Sequence, residues 1–185
     1  MTVGGSRRFE PFNCDMRDTS EFVAKKLIDR LRLDLDLPNL PILEPSAGEG
    51  FLADAINDAF PNAAIHCVEL NKERFDVLKT KFPNAIHGDF LKVELPRKYY
   101  LIIAAPPFKS NMDLAHIIKM YNSLHIGGVV VSLTSPYWLT NNEPLQVEFR
   151  EWLKDKKHTL EILPDMSFSE RGKTVPTAII EIWKQ

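Results

Sequence analysis

Three acidic residues sit at the ends of apolar runs, and they carry most of the chemistry this sequence could perform. The first run, Ile42-Leu43, ends in Glu44-Pro45 and passes into the small-residue turn Ser46-Ala47-Gly48-Glu49-Gly50. Gly48 and Gly50 leave room for a ligand close to the backbone, and the helix that follows starts with free N–H groups. The turn is not the dinucleotide fingerprint: the third position after Gly50 is Ala53, and Glu44 and Glu49 would repel a pyrophosphate. Two carboxylates suit a cationic ligand better. The second run ends at Glu69, about twenty residues further on, where a carboxylate can accept both hydroxyls of a ribose. The third acid is Asp89 in His87-Gly88-Asp89-Phe90. It can accept a hydrogen bond from an adenine amino group while Phe90 packs on the ring. Taken singly, each feature has an ordinary role as a turn, a solvated strand end or a cap. Their order and spacing together favour a ligand site.

A fourth run, Tyr99 to Ala104, reads as a buried strand and ends in Ala105-Pro106-Pro107-Phe108. Two prolines there make a rigid turn whose first carbonyl no ladder pairs, with the aromatic ring expected over the pocket. Such a turn can simply terminate a strand, but at this place in the series a substrate clamp is favoured. With the acids, the pattern describes a nucleoside cofactor with a positive centre, and S-adenosylmethionine fits.

The elements that must hold these residues alternate regularly. Ser20 can cap a helix with Val23, Leu27, Ile28 and Leu31 on its apolar face, stopping before Pro38. After Ile42-Leu43 comes a helix from about Phe51 to Phe60, a strand Ala64 to Val68, and a helix Asn71 to Phe82 with Phe75, Leu78 and Phe82 inward. A short strand near Ala85-Ile86 and the buried strand Tyr99 to Ala104 lead to a helix from Met112 to Leu124, with Leu114, Ile117, Ile118 and Tyr121 at core spacing. Gly127-Gly128 reads as that helix's end, and Val129-Val130-Val131 as the start of a fifth strand. Leu145, Phe149, Trp152 and Leu153 mark a last helix, before strands at Leu160 to Leu163 and Ala178 to Trp183. This series predicts an α/β fold: a doubly wound, mostly parallel, seven-stranded sheet with a C-terminal antiparallel hairpin.

At 185 residues the chain is expected to form one domain, with residues 1 to 19 irregular. A 44% hydrophobic and 26% charged composition excludes a disordered or fibrous chain, and a net charge of −2 gives no general field for polyanions. A local basic groove stays compatible with that balance. No stretch nears the roughly 18 apolar residues of a membrane span, and the start lacks a signal-peptide core, so a cytoplasmic, membrane-free protein is expected. Cys14 and Cys67 are too few for a disulfide framework, and the five histidines lack metal-ligand spacing, so neither a disulfide nor a metal is expected.

Here the chain resembles the class I S-adenosylmethionine-dependent methyltransferases, within them the amino-methyltransferases with an Asn/Asp/Ser-Pro-Pro-aromatic motif, and most nearly N6-adenine DNA methyltransferase-like proteins of phage and plasmid type. Thr19-Ser20-Glu21-Phe22-Val23-Ala24 resembles the motif near the methionine end of the cofactor. Leu43-Glu44-Pro45-Ser46-Ala47-Gly48-Glu49-Gly50 resembles the cofactor loop, Val68-Glu69-Leu70 the ribose site and Gly88-Asp89-Phe90-Leu91 the adenine pocket. Phe168 to Thr177 resembles the loop joining the last two strands. The resemblance implies a single catalytic domain that binds S-adenosylmethionine and methylates an adenine amino group, in DNA before RNA. A protein glutamine is the other substrate in this class.

One position departs from the motif. Where the family has Asn, Asp or Ser, this chain has Ala105, which cannot accept a hydrogen bond from the target amine. Losing one such transition-state partner costs about 2.7–4 kcal/mol, so the chain as written is expected to be slow or inactive on amines. An engineered replacement is the favoured explanation, ahead of a natural pseudoenzyme that only binds cofactor and of a target needing no acceptor. Phe108 is expected to stack on an extruded base and Lys109 to meet a phosphate, while Trp138 and Phe168 read equally as further stacking surfaces or as core plugs. Arg7, Arg8, Arg171 and Lys173 are candidates for the same rim, though solvation is the ordinary role of each. No residues are left for a target-recognition domain, so specificity is expected to be low or to come from a homodimer or another partner.

Overall fold

The computed structural model describes residues 21–31, 40–164, 169–170 and 173–185. Thr19, Ser20, Cys14, Arg7, Arg8, Phe168 and Arg171, singled out above, lie outside them. Its strands are β1 Ile42–Glu44, β2 Ile65–Glu69, β3 Ile86–His87, β4 Tyr99–Ala104, β5 Leu124–Thr134, β6 Lys157–Ile162, β7 Ser169–Glu170, β8 Lys173–Thr174 and β9 Ala178–Trp183. The helices are α1 Glu21–Asp29, α2 Phe51–Ala59, α3 Lys72–Lys81, α4 Met112–Asn122 and α5 Pro144–Leu153.

Seven strands form one sheet in the order β3-β2-β1-β4-β5-β9-β6. β1 pairs in parallel with β2 and β4, β2 with β3, and β4 with β5, while β9 runs antiparallel between β5 and β6. The anticipated antiparallel pair is therefore present, with the last strand inserted beside β5. β7 and β8 form a small separate antiparallel ribbon where the sequence reading has only a loop.

Alternation along the strands sends side chains into two cores, one on each face of the sheet. Ile42, Leu101, Ile103, Val129, Val131 and Ile179 join Val23 and Leu27 of α1, Ile56 of α2 and Leu78 of α3. Leu43, Ile102, Val130, Ile180 and Ile182 join Leu114 and Ile117 of α4 and Phe149 of α5. α1 is also tied to the far edge of the sheet by Arg30, which pairs with Glu161 and with Glu181 at 2.9 Å.

Three local expectations are corrected. Gly127-Gly128 does not end a helix: α4 stops at Asn122, capped by Ser123, and β5 already pairs Leu124 with Tyr99. The glycines form a bulge in β5, Gly127 at φ 82°, stitched by Gly127 N–H to the Lys184 carbonyl and Lys184 N–H to that of Gly128. β4 is not buried throughout, since Tyr100 is exposed. Ile118 and Tyr121 only flank the core, and the buried stripe of α4 instead includes the polar Asp113 and His116.

Candidate functional site

The strand order reverses between β1 and β4, so the crevice for a ligand opens at the carboxyl ends of these strands. Glu44, the last residue of β1, is 1% exposed and its Oε2 has no hydrogen-bond partner among the described residues. Burial above all, then the nearby Glu69 carboxylate, pushes its pKa up to about 8, against a smaller opposing effect of the Ala53 N–H. At neutral pH this group is mostly protonated, so it is not the fixed anion that the sequence suggests.

The loop after β1 is drawn onto the end of β2. Ala47 N–H bonds the Val68 carbonyl at 3.0 Å, and Gly48 N–H bonds Glu69 Oε2 at 2.8 Å. Asn71 N–H reaches Glu69 Oε1 at 2.6 Å. The Glu69 carboxylate, 8% exposed, is thus fixed by two backbone donors, each oxygen keeping lone-pair capacity for a further donor. Gly50 has a reason other than ligand access: at φ 95°, an added Cβ would lie 2.9 Å from Leu78 Cδ1, so the glycine lets α3 pack under the turn. Leu70 is exposed and Pro45 buried.

Asp89 closes its own turn, Oδ1 accepting from Leu91 N–H at 3.0 Å and Oδ2 lying 3.3 Å from Lys92 Nζ. Phe90 is 3% exposed and packs against the His116 ring at 5.2 Å, with Lys119 Nζ 5.2 Å from its ring centre. The ring therefore forms an inner wall and presents no open face. His116 also reaches the cofactor loop, its Nδ1 lying 3.3 Å from Ser46 Oγ. Burial lowers its pKa to about 4, so at neutral pH it is an uncharged group joining α4, the loop and the Asp89 turn. The sequence marks it only as one of five histidines without metal-ligand spacing, structural or solvated in role.

At the end of β4, Ala105 and Pro107 are half-buried, Pro106 is buried and Lys109 is exposed. Among the described residues no hydrogen bond reaches the carbonyls of Pro106 and Pro107. Phe108 corrects the expected open ring: it is 9% exposed and belongs to the core cluster with Ala47 and Leu52. Ser110 and Asn111 then adopt left-handed backbone at φ 56° and 57°. Asn111 holds that shape by donating to Glu143 Oε2 at 2.7 Å and accepting from Gln146 Nε2 at 2.9 Å, both from the start of α5.

Trp138, open in the sequence between stacking surface and core plug, is a core plug. It is 4% exposed, lies edge-on to Phe149, and donates from Nε1 to Thr134 Oγ1 at 3.2 Å. Thr134 in turn donates to the buried Asp113 Oδ2 at 2.8 Å, which also takes Ser135 N–H at 2.9 Å. This network fixes the floor between β5 and α4. Among the described residues no cluster could hold a metal ion, and no helix is long and apolar enough to cross a membrane.

Comparison with known proteins bears on the fold. No family model matches the chain. The malonyl-[acyl-carrier protein] O-methyltransferase of Priestia megaterium is 30% identical over 122 residues, 63% of this chain and 44% of that protein. A protein of Listeria monocytogenes described as a class I S-adenosylmethionine-dependent methyltransferase superposes with a TM-score of 0.70 at 14% identity, over 88% of this chain and 58% of that one. The 23S rRNA methyltransferase ErmE does so with a TM-score of 0.62 at 19% identity, over 90% and 68%. The chain spans less than half the length of the curated relative it matches. Its fold is that of the class I S-adenosylmethionine-dependent methyltransferases.

Proposed function

We propose that the chain is a methyltransferase that holds S-adenosylmethionine against the loop 45–50 and presents its substrate at the Ala105–Phe108 turn. The observation that carries this is Glu69: the carboxylate at the end of β2 is locked by Gly48 and Asn71 N–H beside the loop, in the place a ribose would be gripped. The unpartnered Glu44 Oε2 fits the cofactor too, since a buried carboxyl oxygen next to the loop is completed by a polar group of the ligand. Ser46 and Asp89 would complete the cradle. When bound, the cofactor supplies a methyl group on a positively charged sulfur. The protein positions the acceptor atom in line with that methyl and needs no strong base, because an amine becomes acidic only once alkylated. The free Pro106 carbonyl can accept a hydrogen bond from such an amine; Ala105 adds none.

The finer reading is the N6 amino group of adenine, DNA before RNA, with Ala105 as the impairment. It is supported by the Pro-Pro-Phe turn and its place after β4. A second reading, methylation of an oxygen on a small molecule, is favoured by two observations. The curated relative is an O-methyltransferase, and the burial of Phe108 and Trp138 removes two of the surfaces a flipped base would use. An oxygen acceptor needs no side-chain partner at position 105. Labelled-methyl transfer separates the two readings. Ala105→Asn should raise transfer to adenine in DNA by roughly 10²–10³, whereas an oxygen methyltransferase would lose activity or stay unchanged and label no nucleic acid.

A further inference from the structure

The opposite end of the sheet's strands carries a second hollow that the methyl-transfer reading does not use. It has a volume of about 300 Å³ and is lined by Lys98, Tyr100, Leu124, His125, Ile126 and Lys184. These residues come from the start of β4, the start of β5 and the end of β9, so they lie at the far ends of the strands whose other ends build the cofactor crevice. The glycine bulge shapes it. A Cβ on Gly128 would lie 3.0 Å from the carbonyl oxygens of both Tyr100 and His125, so only glycine lets the two strands approach there.

Two features of this hollow point to a ligand. The first is an exposed aromatic platform: the Tyr100 and His125 rings stack at 4.7 Å with an interplanar angle of 24°, beside Ile126, which is 77% exposed. The second is a pair of ammonium groups without a carboxylate partner. Lys184 Nζ is held 3.1 Å from the Tyr121 carbonyl and 3.4 Å from that of Asn122, at the end of α4. Partial burial, and then the nearby Lys98 ammonium, lower its pKa. Among the described residues, no carboxylate forms an ion pair with either lysine. Two ammonium groups at the rim of one hollow repel each other, and an anion between them would relieve that repulsion. The hollow is at the small end of the roughly 300–1,000 Å³ typical of ligand sites, which suits one ring and one phosphate.

The geometry points to a nucleoside phosphate bound on this face, its ring against the Tyr100–His125 pair and its phosphate between Lys98 and Lys184. Stacking supplies affinity without base identity, and the two lysines select the anion. The phosphate could belong to a free nucleotide or to a nucleotide within a strand, and the inference is independent of the methyltransferase reading.

The test is a titration of ¹⁵N-labelled protein, followed by amide and histidine ring signals, in saturating S-adenosylhomocysteine to occupy the first site. The probes are adenosine monophosphate, a ten-residue oligo-dA and inorganic phosphate. Signals of residues 98–100, 124–127 and 184 should move with both nucleotide probes, and Lys98→Gln should weaken each at least tenfold. Tyr100→Leu should weaken the nucleotides and leave phosphate unaffected. A much tighter oligonucleotide identifies a strand as the source; equal affinities identify the free nucleotide. The proposal is overturned if these signals stay still, if inorganic phosphate moves them at the same concentration, or if Lys98→Gln binds like the parent.

Discussion

Glu44→Gln should remove a pH-dependent loss of stability that the parent protein carries with its ligand site empty. The Glu44 pKa rises from 4.5 in the unfolded chain to about 8 in the folded one, through burial and the Glu69 charge. The folded state therefore holds a proton that the unfolded state gives up, and stability falls as pH rises between these two values. His116 acts in the opposite sense. Its pKa drops from 6.5 to about 4, so stability rises with pH across that window. From pH 4.5 to 6.5 the two slopes largely cancel. Above pH 6.5 His116 is neutral in both states and only the Glu44 slope remains, a loss of about 1–2 kcal/mol by pH 8. Gln keeps the shape and the Ala53 contact but has no proton to lose. Urea unfolding of parent and variant at pH 6.5 and pH 8 reads the difference. The parent midpoint should fall while that of Glu44→Gln stays level. A parent that is equally stable at both values, or a variant with the parent's slope, refutes a protonated Glu44.

Trp138→Ala should cost about 3–5 kcal/mol, because it empties a buried site against Phe149 and strands Thr134; denaturant unfolding measures it, and a loss under 1 kcal/mol would return Trp138 to the surface. Gly50→Ala should destabilise by about 1–3 kcal/mol, since its Cβ would meet Leu78 Cδ1 at 2.9 Å with φ at 95°. A thermal midpoint at or above the parent's would disprove that packing. Asn111→Ala should cost about 1–3 kcal/mol, combining a left-handed backbone with the loss of its bonds to Glu143 and Gln146. The same double loss predicts that Asn111→Gly is milder by unfolding, whereas equal costs would mean the backbone is unstrained.

Much of the sheet could be read from the chain because each buried strand is a short apolar run closed by a turn residue. Glu44, Glu69 and the Pro-Pro turn mark strand ends as well as candidate chemistry. The misreadings share a cause: a partner far away in sequence decides the outcome. Gly127-Gly128 looks like a helix end because glycine commonly follows one, yet its backbone is claimed by Lys184, over fifty residues later. An aromatic residue in a loop reads the same whether it faces a ligand or a core. Phe149 decides the matter for Trp138, and the first core cluster decides it for Phe108. His116 and Asp113 fall on the inward stripe of α4, where polar residues at a spacing of three look like a solvent face until Ser46 and Thr134 are placed beside them. That polar pair within an apolar stripe was the available signal for a site-lining helix.

The central claim is that the crevice beside Glu69 binds S-adenosylmethionine, and isothermal titration with S-adenosylhomocysteine tests it most directly. The account predicts micromolar binding by the unmodified chain, because Ala105 lies on the substrate side. Glu69→Ala should weaken it by roughly 1.5–3 kcal/mol, as expected for lost hydrogen bonds to a charged group. Absence of heat from protein shown to be folded, or undiminished affinity in Glu69→Ala, would contradict it.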